Sequence, residues 1–405
     1  MIGGYEPKSS EAFFKRTRRE LGRFADTWDI ATEMEAATLS SDEKIATARI
    51  QTETDSGPVS TRFNFFVWNE IVLSDFSKPT VVRVAKYVRT FADYVLSGTF
   101  SAIVKQAWRF SAYFLYPALA LAVITLVSAS FAIGTTQLPM PGATAIGIVS
   151  GIAAWLGLLK LTGRRWFVLH LMDLWSFSCS YLHQRRPDAN ALIERFADAV
   201  AECARSGEDD EIVLVGHSTG GALILDIAAT AIAKYPQLGQ GSTSVTILTV
   251  GSTSLKIGLH PAAEHFRGKV KSIVDSKSVN WIECQAMTDV INFYKTDPVA
   301  AMNLKQRSSH QVPQVHLVRI KDMLQSEAYK RFRYNFFRVH YQFVMANTKQ
   351  YAYDFFVMCC SDRRLADSLG TRLLYPPRAA EVQAENDMAN EHDEAPAVAS
   401  GKIAA

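Results

Sequence analysis

The uncharged interval between Arg109 and Lys160 constrains the fold more than any other feature. Residues 110–159 contain no Asp, Glu, Lys, Arg or His, and "GTTQLPMPGAT" divides them near the middle. A helix of about 20 apolar residues crosses a bilayer core of roughly 30 Å. The segments 111–134 and 142–161 are each long enough to do so, and Pro139, Pro141 and Gly142 supply a tight connection between them. The reading is a helical hairpin. Lys105 and Arg109 precede it and Lys160, Arg164 and Arg165 follow, so the positive-inside rule puts both of its ends on the cytoplasmic side. Trp108, Tyr113, Trp155 and Trp166 fall near the boundaries, where interfacial aromatics sit. A pair of buried or lid helices in a soluble enzyme is the alternative; the matched basic flanks favour the bilayer.

The remainder of the 405 residues is enough for one large domain with insertions or for two ordinary ones. A formal charge of +3, with the signs interspersed, is no nucleic-acid footprint. Five cysteines without framework spacing fit a reducing compartment, and Cys359 and Cys360 are adjacent, which suits neither a zinc knuckle nor an ordinary bridge. The first thirty residues are dense in charge, so no cleavable signal peptide is expected. No C-x-x-C, H-E-x-x-H or EF-hand loop occurs, and neither His260 with His265 nor the cysteine pair has companions at ligand spacing. No metal or cofactor is expected.

Along the chain, "MIGGYEPKSS" reads as the end of a strand, a glycine turn and a helix starting near Ser10. Almost no strand precedes the glycines, so this strand is either a stub or begins upstream of Met1. The helix that follows carries Phe13, Phe14, Leu21 and Phe24 on one face and Lys15, Arg16, Arg18, Arg19 and Arg23 around the rest, a solvated face or a headgroup contact. Residues 45–73 give β-rich runs around "DSGP", and "KPTVVRVAKYVRTFADYVLSG" resumes helical spacing. "RRWFVLHLMDLWSFSCSYL" reads as an apolar segment resting at the membrane interface or on the body, and Asp188 as the N-cap of the next helix. Strands at 211–215, "SVTILTVGS" and "VNWIECQA" then alternate with helices, which predicts a mostly parallel sheet with helices on both faces. Beyond Tyr375 the chain is polar, Ala-rich and acidic and reads as a disordered tail.

Within "EIVLVGHSTGGALIL" stands Gly216-His217-Ser218-Thr219-Gly220. Gly-x-Ser-x-Gly needs its glycines where a strand turns sharply into a helix and leaves no room for side chains beside the serine. An apolar strand ends just before this pentapeptide and a helix free of breakers begins after Gly221. The competing reading is a serine that merely caps an ordinary helix. A phosphate loop fits less well, since no Gly-x-x-x-x-Gly-Lys or Gly-x-Gly-x-x-Gly occurs.

Here the chain resembles the α/β-hydrolase superfamily, the lipases and esterases, over residues 190–345 and more loosely over 1–35 and 60–75. That resemblance implies the chain order Ser, then Asp or Glu, then His. Ser218 would be the nucleophile. Asp289, the first acid after "VNWIECQA", would be the triad acid, with Asp297 second; for each the alternative is a turn-forming Asx residue. Among the later histidines, His392 lies in the tail and His316 in a strand-like run, so His340 would be the base and His310 second. The backbone N–H of Thr219 and that of Tyr5, with Gly4 close behind, would form the oxyanion hole. The superfamily often carries His-Gly where this chain has Gly3-Gly4, and its usual lid comes later in the chain than this hairpin.

The expected organisation is an α/β-hydrolase fold split by the hairpin. Residues 1–104 form its first part, 105–165 the hairpin, 166–375 the main hydrolase domain and 376–405 the tail. The expected activity is hydrolysis of a carboxylic ester or thioester, of an amphiphilic or lipid acyl substrate held beside the bilayer. Two alternatives stay open: a catalytically silent hydrolase-fold membrane protein that binds lipid or a partner, and an acyltransferase using the same triad.

Overall fold

Period-2 alternation with both phases apolar builds the centre of the molecule. In the computed structural model, which describes residues 1–305 and 312–368, four strands form a parallel sheet in the order β5-β6-β7-β8. They are β5 (Glu211–His217), β6 (Ser244–Val250), β7 (Val279–Ala286) and β8 (Gln314–Val318). Leu214, Val245, Ile247, Val279 and Trp281 enter one hydrophobic core, whereas Val215, Leu248, Val250, Ile282, Cys284 and Ala286 enter a second. Successive strand residues point to opposite faces, so the sheet is covered on both sides and its strands read as continuous apolar runs.

Four strands precede these: β1 (Thr32–Met34), β2 (Thr38–Leu39), β3 (Ile45–Thr54) and β4 (Gly57–Phe66). They make an antiparallel sheet around the β3–β4 hairpin, whose turn is Asp55-Ser56. Residues 1 and 2 join the two sheets. The Met1 amino group donates to the Asn64 carbonyl at 2.7 Å and the Phe66 N–H to that of Met1 at 2.9 Å. Ile2 N–H donates to Val215 at 2.9 Å, and His217 N–H to Ile2 at 3.2 Å. Before the glycine turn, Ile2 pairs with Gly216 in a single parallel bridge.

The helices, in chain order, are α1 (Ser10–Trp28), α2 (Asn69–Phe76), α3 (Thr80–Leu96), α4 (Thr99–Gln106), α5 (Trp108–Thr136) and α6 (Ala143–Arg165). Then follow α7 (Val168–Leu182), α8 (Pro187–Ser206), α9 (Gly220–Lys234), α10 (Leu255–Gly258) and α11 (Glu264–Asp275). The last are α12 (Pro298–Ala301), α13 (Ser326–Phe332), α14 (Phe336–Tyr341) and α15 (Phe355–Cys360). Apolar residues of α7, α8, α9 and α11 fill the first core, and those of α1, α14 and α15 the second. The fold is mixed α/β.

Helices α5 and α6 are the two long apolar helices expected from the uncharged interval, and both could cross a membrane. An 18-residue stretch in each is only 11% and 17% buried, unlike the core helix of a soluble protein. Leu119, Val123, Leu126, Phe131 and Val149 are all more than half exposed. The two helices meet through small residues, the pattern that lets helix backbones approach closely. A Cβ on Gly151 would lie 2.6 Å from that of Ala132, and one on Gly147 2.8 Å from the Ala132 carbonyl oxygen. At the other end α5 runs into the protein body, where Phe110 and Phe114 are fully buried against Trp175.

Two sequence readings need correction. Residues 69–73 belong to α2 and not to a strand, because Ile71, Val72 and Asp75 turn inward at helical spacing. Pro187 opens α8 and Arg186 holds the cap position, leaving Asp188 in the first turn, where its carboxylate pairs with Arg186 at 2.7 Å. A proline at that place has no N–H to satisfy and its φ is already helical. Of the two placements open for the segment after α6, the body is the one found: Leu171, Met172, Trp175, Phe177 and Tyr181 are buried and α7 is a core helix. His310 and the 376–405 tail lie outside the described residues.

Candidate active site

Ser218 occupies the turn between β5 and α9 with φ of 58°. That left-handed conformation is strained by roughly 1–2 kcal/mol for a residue with a Cβ, and outliers of this kind gather at functional sites. Neighbouring groups show why glycine flanks it. A Cβ on Gly216 would meet the Gly220 carbonyl oxygen at 2.6 Å, and one on Gly220 the Gly3 carbonyl oxygen at 2.6 Å. At Gly221 it would lie 2.7 Å from the Ser252 Cβ. The strand-turn-helix therefore closes only with glycine at 216, 220 and 221, the last of which the pentapeptide alone does not reveal.

Asp289 follows β7 in a loop folded by its own side chains. Its Oδ1 accepts the Ile291 N–H at 2.8 Å, and Asn292 Nδ2 donates to the carbonyls of Asp289 (2.6 Å) and Ala286 (2.9 Å). The other carboxylate oxygen, Oδ2, lies 2.7 Å from Nδ1 of His340 on α14. Both residues are buried, and His340 Nε2 has no hydrogen-bond partner among the described residues. Asp297 does otherwise: it caps α12 by accepting the Val299 and Ala300 N–H groups. His316 sits in β8.

Ser218 and His340 line one cavity of about 810 Å³, with Gly4 and Tyr5 on its wall, a size in the range of small-molecule sites. Gly4 packs directly on the serine, since a Cβ there would lie 3.2 Å from the Ser218 Cβ and 3.4 Å from its Oγ. The Glu6 N–H closes a tight turn on the Gly4 carbonyl at 2.9 Å. Among the described residues the backbone N–H groups of Tyr5 and Thr219 donate to no protein acceptor. The Tyr5 side chain points away from this role: its hydroxyl donates to Asp75 at 2.9 Å, and its ring stacks edge-on against Trp68 and Phe76.

Several supporting residues have roles that no sequence motif assigns. His217 Nε2 donates to the His340 carbonyl at 3.2 Å; burial, with repulsion from His340, holds its pKa well below the usual value. Burial likewise pushes His170, on the cavity wall, down to about 4. Both imidazoles are therefore neutral at pH 7. Gly251, at φ of 54°, makes room for the His340 ring, whose Cε1 would be 3.1 Å from a Cβ there. Among the described residues Lys256, fully buried, has no carboxylate partner, and its Nζ donates to the Thr219 hydroxyl at 2.8 Å. Burial lowers its pKa to about 7. A lone lysine in "TSLKIG" gives no signal of this, because burial is a tertiary property.

Chemically, an imidazole held at Nδ1 by a carboxylate and unbonded at Nε2 is able to take a proton. Contacts from such a base to a hydroxyl tighten when substrate binds.

His260 is not as isolated as its spacing implies. Its Nε2 lies 3.3 Å from Asp93 Oδ2, the oxygen that also faces His183 Nε2 at 2.9 Å and Cys179 Sγ at 3.2 Å. The Asp93, Cys179 and His183 atoms lie within 4.8 Å of one another, close enough to share a metal ion. However, His260 Nδ1 accepts the Ala262 N–H at 3.1 Å, which leaves the ring proton of the neutral form on Nε2 facing the carboxylate. With that proton, His260 offers no lone pair toward Asp93 and is not a fourth ligand, and its Nε2 makes no hydrogen bond among the described residues. Comparison of the whole chain with protein-family models, with curated proteins and with solved structures finds no match.

Proposed function

We propose that this protein is a membrane-anchored serine hydrolase of α/β-hydrolase type, cleaving a carboxylic ester or thioester of an amphiphilic acyl substrate. The observation that carries the reading is the 2.7 Å pairing of Asp289 with His340 in the cavity that the strained Ser218 also lines. His340 Nε2 takes the hydroxyl proton as Ser218 Oγ attacks the acyl carbon, and Asp289 steadies the imidazolium through Nδ1. The Thr219 and Tyr5 N–H groups receive the charge on the tetrahedral oxygen. As that intermediate collapses, the acyl–oxygen or acyl–sulfur bond breaks and His340 returns its proton to the leaving group. Water, deprotonated by the same imidazole, then releases the acid and restores Ser218.

The anchor is the α5–α6 hairpin, with the catalytic body on the cytoplasmic side, a reading supported by the basic residues before and after it. Labelling of a cysteine placed in the 137–142 turn from the cytoplasmic side alone would reverse that orientation.

A fluorophosphonate probe tests the chemistry on detergent-solubilised full-length protein. Wild type is expected to label and Ser218→Ala not to, with turnover lost by about 10⁴ to 10⁶. Equal labelling of the two overturns the reading.

A further inference from the structure

The wall of the Ser218 cavity comes partly from the two apolar helices. Tyr113 of α5 and Leu156, Lys160 and Gly163 of α6 face the same space as Ser218 and His340. Spacings of four and three place these α6 residues on one stripe of the helix. From Gly163 to Leu156 that stripe runs about 10 Å along the axis, away from the basic end of α6 and toward its apolar middle. Leu156 is 41% exposed, so this part of the wall is open and not sealed in the core. Lys160 has no carboxylate partner among the described residues, as suits a lysine snorkelling to the headgroup level. Phe76, Phe167, Leu169 and Phe337 add apolar lining to the same cavity, beside the polar Arg83 and His170.

Helix α5 is also fastened to the loop that holds Asp289. Arg109 Nη1 donates to the Met287 carbonyl at 2.8 Å, and the Phe110 and Phe293 rings stand 4.3 Å apart. The hairpin is thus tied to the catalytic loop and is more than a tether.

Resting on the hydrolase reading, we infer that the cavity opens sideways into the bilayer along the Leu156–Lys160–Gly163 stripe. A bilayer-resident ester presents its acyl chain through this portal and is cleaved without leaving the membrane. The ester group of such a lipid lies between headgroup and chains, the level that Lys160 marks. Long-chain esters dissolved in the membrane are therefore the substrate class, and short soluble esters reach Ser218 without using the stripe.

The test uses full-length protein in phosphatidylcholine vesicles with two probes sharing one leaving group, 4-methylumbelliferyl oleate and 4-methylumbelliferyl butyrate. Rates are normalised to the fraction that reacts with fluorophosphonate, which removes unfolded protein from the comparison. Leu156→Trp fills the portal, and Gly157→Trp adds the same bulk on the neighbouring face, where a Cβ meets nothing within 4 Å. The oleate-to-butyrate ratio is expected to fall at least tenfold in the first variant and to stay at the wild-type value in the second. An unchanged ratio in Leu156→Trp, or an equal fall in both, overturns the portal while the hydrolase reading stands. A wild type that neither labels nor cleaves butyrate removes the hydrolase reading and the portal with it.

Discussion

Replacing Asp289 with Asn should cost about 10⁴ in turnover, and the loop geometry gives the reason. Asp289 Oδ1 is already committed to the Ile291 N–H at 2.8 Å, and only an oxygen can accept there. An asparagine therefore keeps its oxygen on Ile291 and turns its NH₂ toward His340 Nδ1, now 2.7 Å from the carboxylate. Two donors cannot face each other in a site as buried as this, so the imidazole moves its proton to Nε2. That tautomer has no lone pair left for the Ser218 proton. A wrong tautomer lowers turnover by about 10⁴, and at 1.36 kcal/mol per decade that is about 5.4 kcal/mol of barrier. Hydrolysis of 4-methylumbelliferyl butyrate by detergent-solubilised protein measures the loss, and the thermal midpoint checks that the fold survives. Asp297→Asn is the control, since Asn also caps helices. An Asp289→Asn rate within tenfold of wild type refutes the tautomer argument. So would equal losses in the two variants.

Two further outcomes follow from the same structure. Gly4→Ala should cut the fluorophosphonate labelling rate about tenfold with little change in thermal midpoint, because its methyl group would press on the Ser218 Cβ and Oγ at 3.2 and 3.4 Å; an unchanged rate would remove Gly4 from the serine's surroundings. Glu283 is buried beside Thr249, and burial raises its pKa to about 8. Its folded pKa exceeds the unfolded value, so the native state holds the extra proton and stability falls as pH rises from about 4.5 through 8. Glu283→Gln keeps the neutral amide and should flatten that fall, read from thermal midpoints between pH 6 and 9; an unaltered slope counts against it.

What the sequence made legible was local. The β5–turn–α9 unit follows from a five-residue glycine pattern beside an apolar strand, and the α5–α6 pair from a long absence of charge. The Asp289–His340 pairing was reachable because chain order ranks the candidates, and Asp297 proved to be a helix cap. Tertiary features stayed hidden. Helix α7 is buried on most of its faces, Asp173 included, and its mostly apolar sequence fits a core and an interface equally well. His260 faces the Asp93 carboxylate of α3 together with Cys179 of α7 and His183 just after it, residues that no spacing rule connects. Strands β1 and β2 are three and two residues long, too short for any alternation to show. The N–H of Tyr5 was proposed as a donor from a glycine turn, while the anchoring of its ring by Asp75 rests on a partner seventy positions away.

The bridge from Ile2 to Gly216 spans the whole hairpin in sequence. A ribosome adding roughly 5 to 20 residues per second delivers α5 and α6 several seconds before β5 exists to receive Ile2. The glycine turn that faces Ser218 therefore waits, unpaired on one side, while α5, α6 and the helices after them are made. Whatever this chain does at Ser218, the turn beside it is completed only after both long apolar helices have been made.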